Sequence, residues 1–366
     1  MQLETDNMPT TVPFRINKMK LVFFLITLGL SFLCVTCGDD GTSPPYWGPG
    51  KRDYSWSIDT ISYSGSLQTS LITMWASSAN DVWIGGFNER GWGELYHYDG
   101  LQWLPDTHGF RSIDISQIFG FESNNVFLAG AFGYINPNPP PYFLDSSVIL
   151  HYNGSRWSEV HMERGRHLQG IWGMSPTNMF ATGIFGTLFH YDGSAWEKIN
   201  TDTTIMFGKA GGTSTEIFAI GYIPSRFRPD SIYRECLYKW MNGTFVRVDS
   251  MLMAPGVVPK FGSSKVVGVE ERIYSVGWGG VFYKQETGWA NEISVGETFM
   301  DLCGTRLEHV FSCGISKSLY HYNGANWKKI EVPGDPSLPL YGVWCNEEEV
   351  FVLGSDGARS YVLHGK

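Results

Sequence analysis

Charge is scarce in this sequence: Lys, Arg, Asp and Glu together make up only 17% of its 366 residues. There is no cluster of Lys and Arg, and the formal net charge is −9, so the chain has little to hold a phosphate backbone. Nucleic acid is therefore not an expected partner. The six cysteines form no zinc-ligand pattern with one another or with histidine. The single Cys-x-x-Cys, Cys34 to Cys37, falls inside an export signal, not a redox motif. No Asp-x-[Asp/Asn]-x-[Asp/Asn]-Gly calcium loop is present. No metal or other cofactor is expected. The longest apolar run, Leu21 to Leu33, is shorter than the roughly 20 residues that a membrane span requires.

What is abundant points the other way. The 43 glycines, 14 tryptophans and 18 tyrosines suit an all-β protein with many tight turns, since helical domains lean on Ala, Leu, Glu and Lys. At the N-terminus, Lys18-Met19-Lys20, the apolar run and the polar exit that follows make a secretory signal, with translation starting at Met19. The cysteine at its end resembles the acylation site of a bacterial lipoprotein. Cys37 is the expected site because a polar stretch follows it directly, whereas Cys34 sits behind bulky Phe32 and Leu33. The expected organisation is a signal over residues 1–37, a flexible tether over 38–53 rich in Gly, Pro, Ser and Asp, and a folded domain over 54–366.

Internal repetition decides the fold. Residues 168–199, LQGIWGMSPTNMFATGIFGTLFHYDGSAWEKI, state the unit most clearly. An apolar pair marks the middle of each copy: Val82-Trp83, Val126-Phe127, Met179-Phe180, Ile217-Phe218, Ile273-Tyr274, Val310-Phe311 and Val350-Phe351. Copies of this length match the four-stranded antiparallel blades of a seven-bladed β-propeller. Within unit 3 the strands are expected at Gln169–Gly173, Met179–Gly183, Thr187–Tyr191 and Trp196–Asn200. Asp-Gly and Asn-Gly between strands 3 and 4 predict tight hairpins with both central residues at positive φ. The last unit stops after three strands, and Tyr54–Ile58 reads as an unattached fourth strand. If it completes the last blade, the ring closes with no bare edge.

The pattern IWG-x-S-x-x-[ND]-V-F … HY[DN]G-x-x-W resembles repeats of bacterial lipoprotein and surface β-propellers, over roughly residues 54–366. The resemblance implies an exported protein anchored by lipid to the bacterial membrane, at the outer membrane or cell surface in preference to the inner. It brings no active-site residues, since neither a WD dipeptide nor a sialidase-type Ser-x-Asp-x-Gly-x-Thr-Trp box is present.

Candidate functional residues are weighed against that frame. His97, His151, His190 and His321 recur at one place in the repeat, which points to fixing a hairpin; spread around a ring, they are too far apart to share a metal. Trp103, Trp157, Trp196 and Trp327 are expected to pack between blades. Cys303 and Cys313 fall on neighbouring strands of unit 6 and form the candidate disulfide, with Cys345 as the alternative partner. Nearly all length variation lies in the strand 2–3 and strand 4–1 connections, on one face. The candidate binding residues there are Arg90, Trp92, Tyr134, Tyr142, Arg166, Arg226 and Arg228, with an envelope protein or a glycan as ligand. The leading expectation is a non-catalytic recognition or scaffold protein. The alternative is a carbohydrate-active enzyme, with its acidic pair drawn from Glu89, Glu94, Asp145, Glu163, Asp202, Asp230 and Asp301 on the same face or in the channel. Metabolic labelling with palmitate is expected to mark the wild-type chain and Cys34→Ala, and to be lost in Cys37→Ala.

Overall fold

A computed structural model describes residues 50–90, 94–106, 109, 113–135, 143–225, 233–254, 256–294 and 296–366. Outside these lie the signal with Cys34 and Cys37, and the candidate residues Trp92, Tyr142, Arg226, Arg228 and Asp230. The side chains of Tyr134 and Phe143 are likewise not described.

Within unit 3 the observed strands are Leu168–Ser175, Asn178–Gly183, Leu188–Tyr191 and Trp196–Lys198. The same order recurs around the molecule, giving seven four-stranded antiparallel sheets and a β-propeller. The seventh sheet is composite: Leu340–Cys345, Val350–Ser355 and Ser360–Gly365 are joined on the outside by Trp56–Ile61 from the start of the domain. Trp56 pairs with Gly365 and Ile61 with Ser360. Ser55 and Lys366 then exchange both backbone hydrogen bonds, at 2.9 and 3.0 Å. The fourth strand expected from the sequence is therefore the one that closes the ring.

The apolar pair on strand 2 explains why the blades stack. Successive strand residues point to opposite faces, so the two members of the pair serve two interfaces. Val82 of blade 1 packs back against Phe351 of blade 7, and Trp83 packs forward against Val126 of blade 2. Phe127 then meets Met179, Phe180 meets Ile217, Phe218 meets Ile273, Tyr274 meets Val310, and Phe311 meets Val350. The cycle is complete, and every member is buried. Fully burying one such side chain contributes about 1.5–3 kcal/mol. The strand 4 tryptophans face the preceding blade, as Trp157 does where it meets Trp83 edge-on at 5.2 Å.

The recurring histidine of strand 3 caps this contact. His97, His151, His190, His321 and His364 each stack on the strand 2 aromatic, with centroids 3.8–4.8 Å apart. Each also meets the residue two places before that aromatic: Asp81 at 2.6 Å, Asn125 at 2.9 Å, Asn178 at 2.9 Å, His309 at 3.0 Å and Glu349 at 2.5 Å. In blade 4 the pair is Glu216 and Lys239, and the lysine lies over Phe218. The histidines are structural, as their recurrence predicts.

Two expectations are corrected. Only Asn242-Gly243 has both central residues at positive φ, +53° and +78°, between the paired Met241 and Thr244. In blade 1 the loop spans four residues between Tyr98 and Trp103, and Asp99 Oδ1 accepts from Leu101 N and Gln102 N at 2.9 Å each. The side chain thus replaces the tight-turn bond, and only Gly100 reaches positive φ, +91°. Asn153, Asp192 and Asn323 do the same in blades 2, 3 and 6. The disulfide joins Cys303 to Cys345, with Cα atoms 6.2 Å apart, and not to Cys313, which is a free buried thiol. The register of the strand 1–2 hairpin sets Cys313 opposite Asp301 and Cys303 opposite Phe311. Diagonal neighbours of this kind are about 7–8 Å apart, beyond the reach of a disulfide. Cys345 instead lies across the blade 6–7 interface from Cys303.

The end of the expected tether is docked. Arg52 donates to the His321 carbonyl at 3.0 Å and to Asn326 Oδ1 at 2.9 Å. A Cβ on Gly50 would come 2.5 Å from His309 Nδ1 and 2.9 Å from His321 Cε1, so glycine alone fits there. Beneath it, His309 Nε2 donates to the Asn346 carbonyl at 2.9 Å, which leaves its Nδ1 to accept from His321 Nε2. His321 Nδ1 is buried without a partner. Burial first, and after it His309, Arg52 and Arg306, push His321 down to about 3. The folded state therefore keeps this ring neutral, whereas the unfolded chain binds a proton below the ordinary 6.5. Stability from this site is present above pH 6.5 and is lost as pH falls toward 3. Urea midpoints measured from pH 7.5 to 4 are expected to fall with uptake of about one proton from this site on unfolding, and His321→Gln to flatten that fall.

Candidate functional site

The first strand of each blade lines the axis of the ring and begins on the face where the variable connections lie. Six of the seven carry a register shift near that end. A bulge leaves a backbone group unpaired and re-aims the side chain beside it. The repeat places Thr73, Gln117, Gly170, Lys209, Lys265, Asp301 and Gly342 at this point. Where the side chain can accept a hydrogen bond, it takes one from the next blade. Thr73 Oγ1 accepts from Ile118 N at 3.0 Å, Gln117 Oε1 from Ile171 N at 3.0 Å, and Asp301 Oδ2 from Val343 N at 3.4 Å. Gly170 has no side chain to offer, and there Thr182 Oγ1 donates to the Gly208 carbonyl instead.

Charge is unevenly divided around this mouth. On the side of blades 4 to 6, Lys265 forms an ion pair with Asp301, their side chains 19% and 8% exposed. Lys209 lies beside them, partly exposed. Burial draws it down to about 8; Lys265 adds to that effect and Asp301 opposes it. On the blade 2 side, Ser116 Oγ is 3.2 Å from His167 Nε2, and His167 Nδ1 is 3.9 Å from Asp145 Oδ2. Burial raises the Asp114 carboxyl; His167 opposes this, while Asp145 and Glu94 add to it. Burial likewise holds His167 below its usual range, against Asp145 and Asp114. The 3.9 Å gap is too long for a hydrogen bond and the Asp145 side chain is 51% exposed, so this imidazole is not fixed as a general base.

Other sequence candidates have partners within the chain. Arg90 donates to the Gly65 carbonyl at 3.0 Å and lies 3.6 Å from Glu89. Glu89 accepts from Leu67 N, Ser66 Oγ and Gln68 N, which hold it down at about 2. Arg166 lies over the Phe185 ring at 5.4 Å, on the connection between blades 2 and 3. Glu163 pairs with Lys198, and Asp202 accepts from Thr204 N at 2.8 Å. Tyr134 falls on strand 2 of blade 2, opposite Leu144. The structure brings Glu94, Asp145 and Asp301 to the mouth and leaves Glu89, Glu163 and Asp202 away from it. Among the described residues no three of His, Cys, Asp or Glu stand together as metal ligands.

Two grooves stand out among the described residues. One of about 470 Å³ opens on the variable face between Ile58, Asp335, Tyr341, Asp356 and Tyr361, with Tyr361 donating to Asp356 at 2.8 Å. The second, about 580 Å³, lies on the opposite face, between Phe127, His151, His161, Tyr191 and Trp196. Sequence reasoning named Asp301 but missed this second groove and the two lysines of the mouth. Aligning the units at the residue three places before the strand 1 glycine would have exposed Lys209 and Lys265.

The sequence matches no protein-family profile and no curated protein. In shape it is similar to a structure of YCF48 bound to D1 peptide, with TM-score 0.57 at 15% identity, over 88% of this chain and 98% of that one. It is also similar to YCF48 from Cyanidioschyzon merolae, with TM-score 0.51 at 14% identity, over 84% and 98%. Raptor from Chaetomium thermophilum gives 0.52 at 9% identity, over 86% of this chain and 29% of that one. At these identities the likeness establishes the propeller fold alone.

Gln117→Ala leaves the Ile171 amide without its acceptor in the ring, and is expected to lower stability in urea by about 1–3 kcal/mol. Exposed Lys328→Ala is expected to change it by less than about 0.5 kcal/mol.

Proposed function

We propose that this protein is a non-catalytic recognition propeller, anchored by lipid at the bacterial envelope, that holds a segment of a protein partner across its variable face. The observation that carries the reading is the mouth itself. Basic and acidic groups face each other across a rigid ring, beside a groove lined by Tyr341 and Tyr361. Tyrosine pockets flanked by charge suit the anchoring side chains of a peptide. A propeller of similar shape, YCF48, has been seen bound to a peptide, and this adds support by analogy.

A second reading rests on one observation, the raised Asp114 carboxyl beside Asp145. Two carboxyl groups driven apart in proton affinity are what a carbohydrate-active enzyme uses. In that case the full chain would release sugar from a polysaccharide and Asp114→Asn would abolish the release.

The deciding experiment is crosslinking on whole cells with the full chain. One protein partner is expected to be recovered reproducibly. Tyr341→Ala or Arg166→Glu should cut its recovery about fivefold or more, as losing an interface contact worth 1 kcal/mol would. Arg156→Glu, on the opposite face, should leave it unchanged. Capture of no defined partner, or equal capture by all three variants, would overturn the reading.

A further inference from the structure

We propose that the mouth of the ring at blades 4 to 6 is a carboxylate site centred on Lys209, which receives the terminal or side-chain carboxylate of a peptide ligand. This deepens the recognition reading and rests on it.

The case begins with a mismatch of partners. Asp301 already has partners: Oδ1 holds Lys265 and accepts from Leu302 N at 2.7 Å, while Oδ2 accepts from Val343 N at 3.4 Å. No hydrogen bond reaches the Lys209 ammonium from any described residue. Two ammonium groups thus share one carboxylate, which leaves a net positive charge inside the ring. The neighbours toward blade 3 do not compensate. Gly170 packs against the Lys209 backbone, its Cβ position 3.0 Å from Lys209 Cα, and Thr182 spends its hydroxyl on the Gly208 carbonyl. The Cys313 thiol, also near Lys209 and Asp301, is held protonated by burial.

Lys209 nonetheless keeps part of its surface open to solvent, on the strand that lines the axis. A half-buried ammonium that shares its counter-ion gains more from an incoming anion than one on the open surface, because water screens it less. A lone lysine acts as a point charge and suits a single carboxylate; a phosphate calls for more donors or a guanidinium fork. Asp114 and Asp145 on the blade 2 side give the same peptide a place for a cationic group. The site works only while Lys209 is charged, so it weakens as pH rises through about 8. Lys265, Asp301 and Cys313 are the titratable groups facing it.

The test uses the full chain with its lysines reductively methylated with 13C, followed by NMR. Lys209→Arg identifies the resonance by its loss. Titration at constant ionic strength compares glutarate, its uncharged diamide and inorganic phosphate as probes. Glutarate is expected to raise the Lys209 midpoint by about one pH unit and the diamide to leave it unmoved. No shift with glutarate, or a shift with phosphate at lower concentration than with glutarate, would overturn the proposal. Lys209→Met should also reduce partner crosslinking; full capture by that variant would overturn the assignment to a peptide carboxylate. If glutarate shifts Lys209 while the wild-type chain captures no partner, the carboxylate site stands and the recognition reading falls.

Discussion

The alternation of one strand holds the molecule together. On strand 2 an aliphatic residue points back and an aromatic residue points forward, and each blade thereby finishes the core of one neighbour and begins that of the next. A single sheet cannot bury both of its faces alone, so no blade is stable apart from its neighbours. The consequence is a rigid cylinder in which seven inner strands are brought side by side. In five blades the recurring histidine then covers the strand 2 aromatic, which accounts for its recurrence without any chemical task. Where blade 4 substitutes a lysine, the partner changes to Glu216 and the stacking contact survives as a cation over Phe218.

The mouth depends on that rigidity. A register shift at one place in most first strands creates a ring of positions released from the packing rules that bind the rest of the unit. Thr73 and Gln117 use the freedom to clasp the next blade and Lys209 uses it to carry charge, while Lys265 holds the same place on the one first strand without a shift. Polar groups here cost little in core packing because they face the axis and not a neighbouring sheet. A propeller can therefore vary the chemistry of its centre while its interfaces stay nearly the same.

Much of this architecture is legible in the sequence. The blade number and the closing strand follow from the spacing of the apolar pairs and from the incomplete last unit, because a repeat must bury its faces in the same way each time. The misread features depend on geometry that spacing does not carry. The Asp-Gly signal near residue 99 foretold a turn but not that the Asp99 carboxylate would replace a backbone bond. Cys303 and Cys313 look adjacent in the unit, yet the hairpin register leaves them on a diagonal, while Cys345 comes near only through the interface between blades. The two lysines of the mouth escaped notice for a related reason. They sit at a position that carries Thr, Gln, Gly, Lys or Asp from blade to blade, so periodicity passes over them.

The composite seventh blade also constrains how the chain reaches its native state. Trp56–Ile61 pairs with Ser360–Gly365, almost the whole length of the domain away. The entropy of closing a loop grows only slowly with its length, so this separation is affordable at equilibrium. It acts on time instead. A high mean sequence separation of contacts slows folding, and here the last interface cannot form until both ends of the domain are free to meet. Until then, the strand edge at Ser360–Gly365 and the aromatic face of Trp56 are open to pairing with another copy of the chain. Refolding is therefore expected to be slow and to depend on concentration, with a strand from a second molecule as the competitor for the seventh blade.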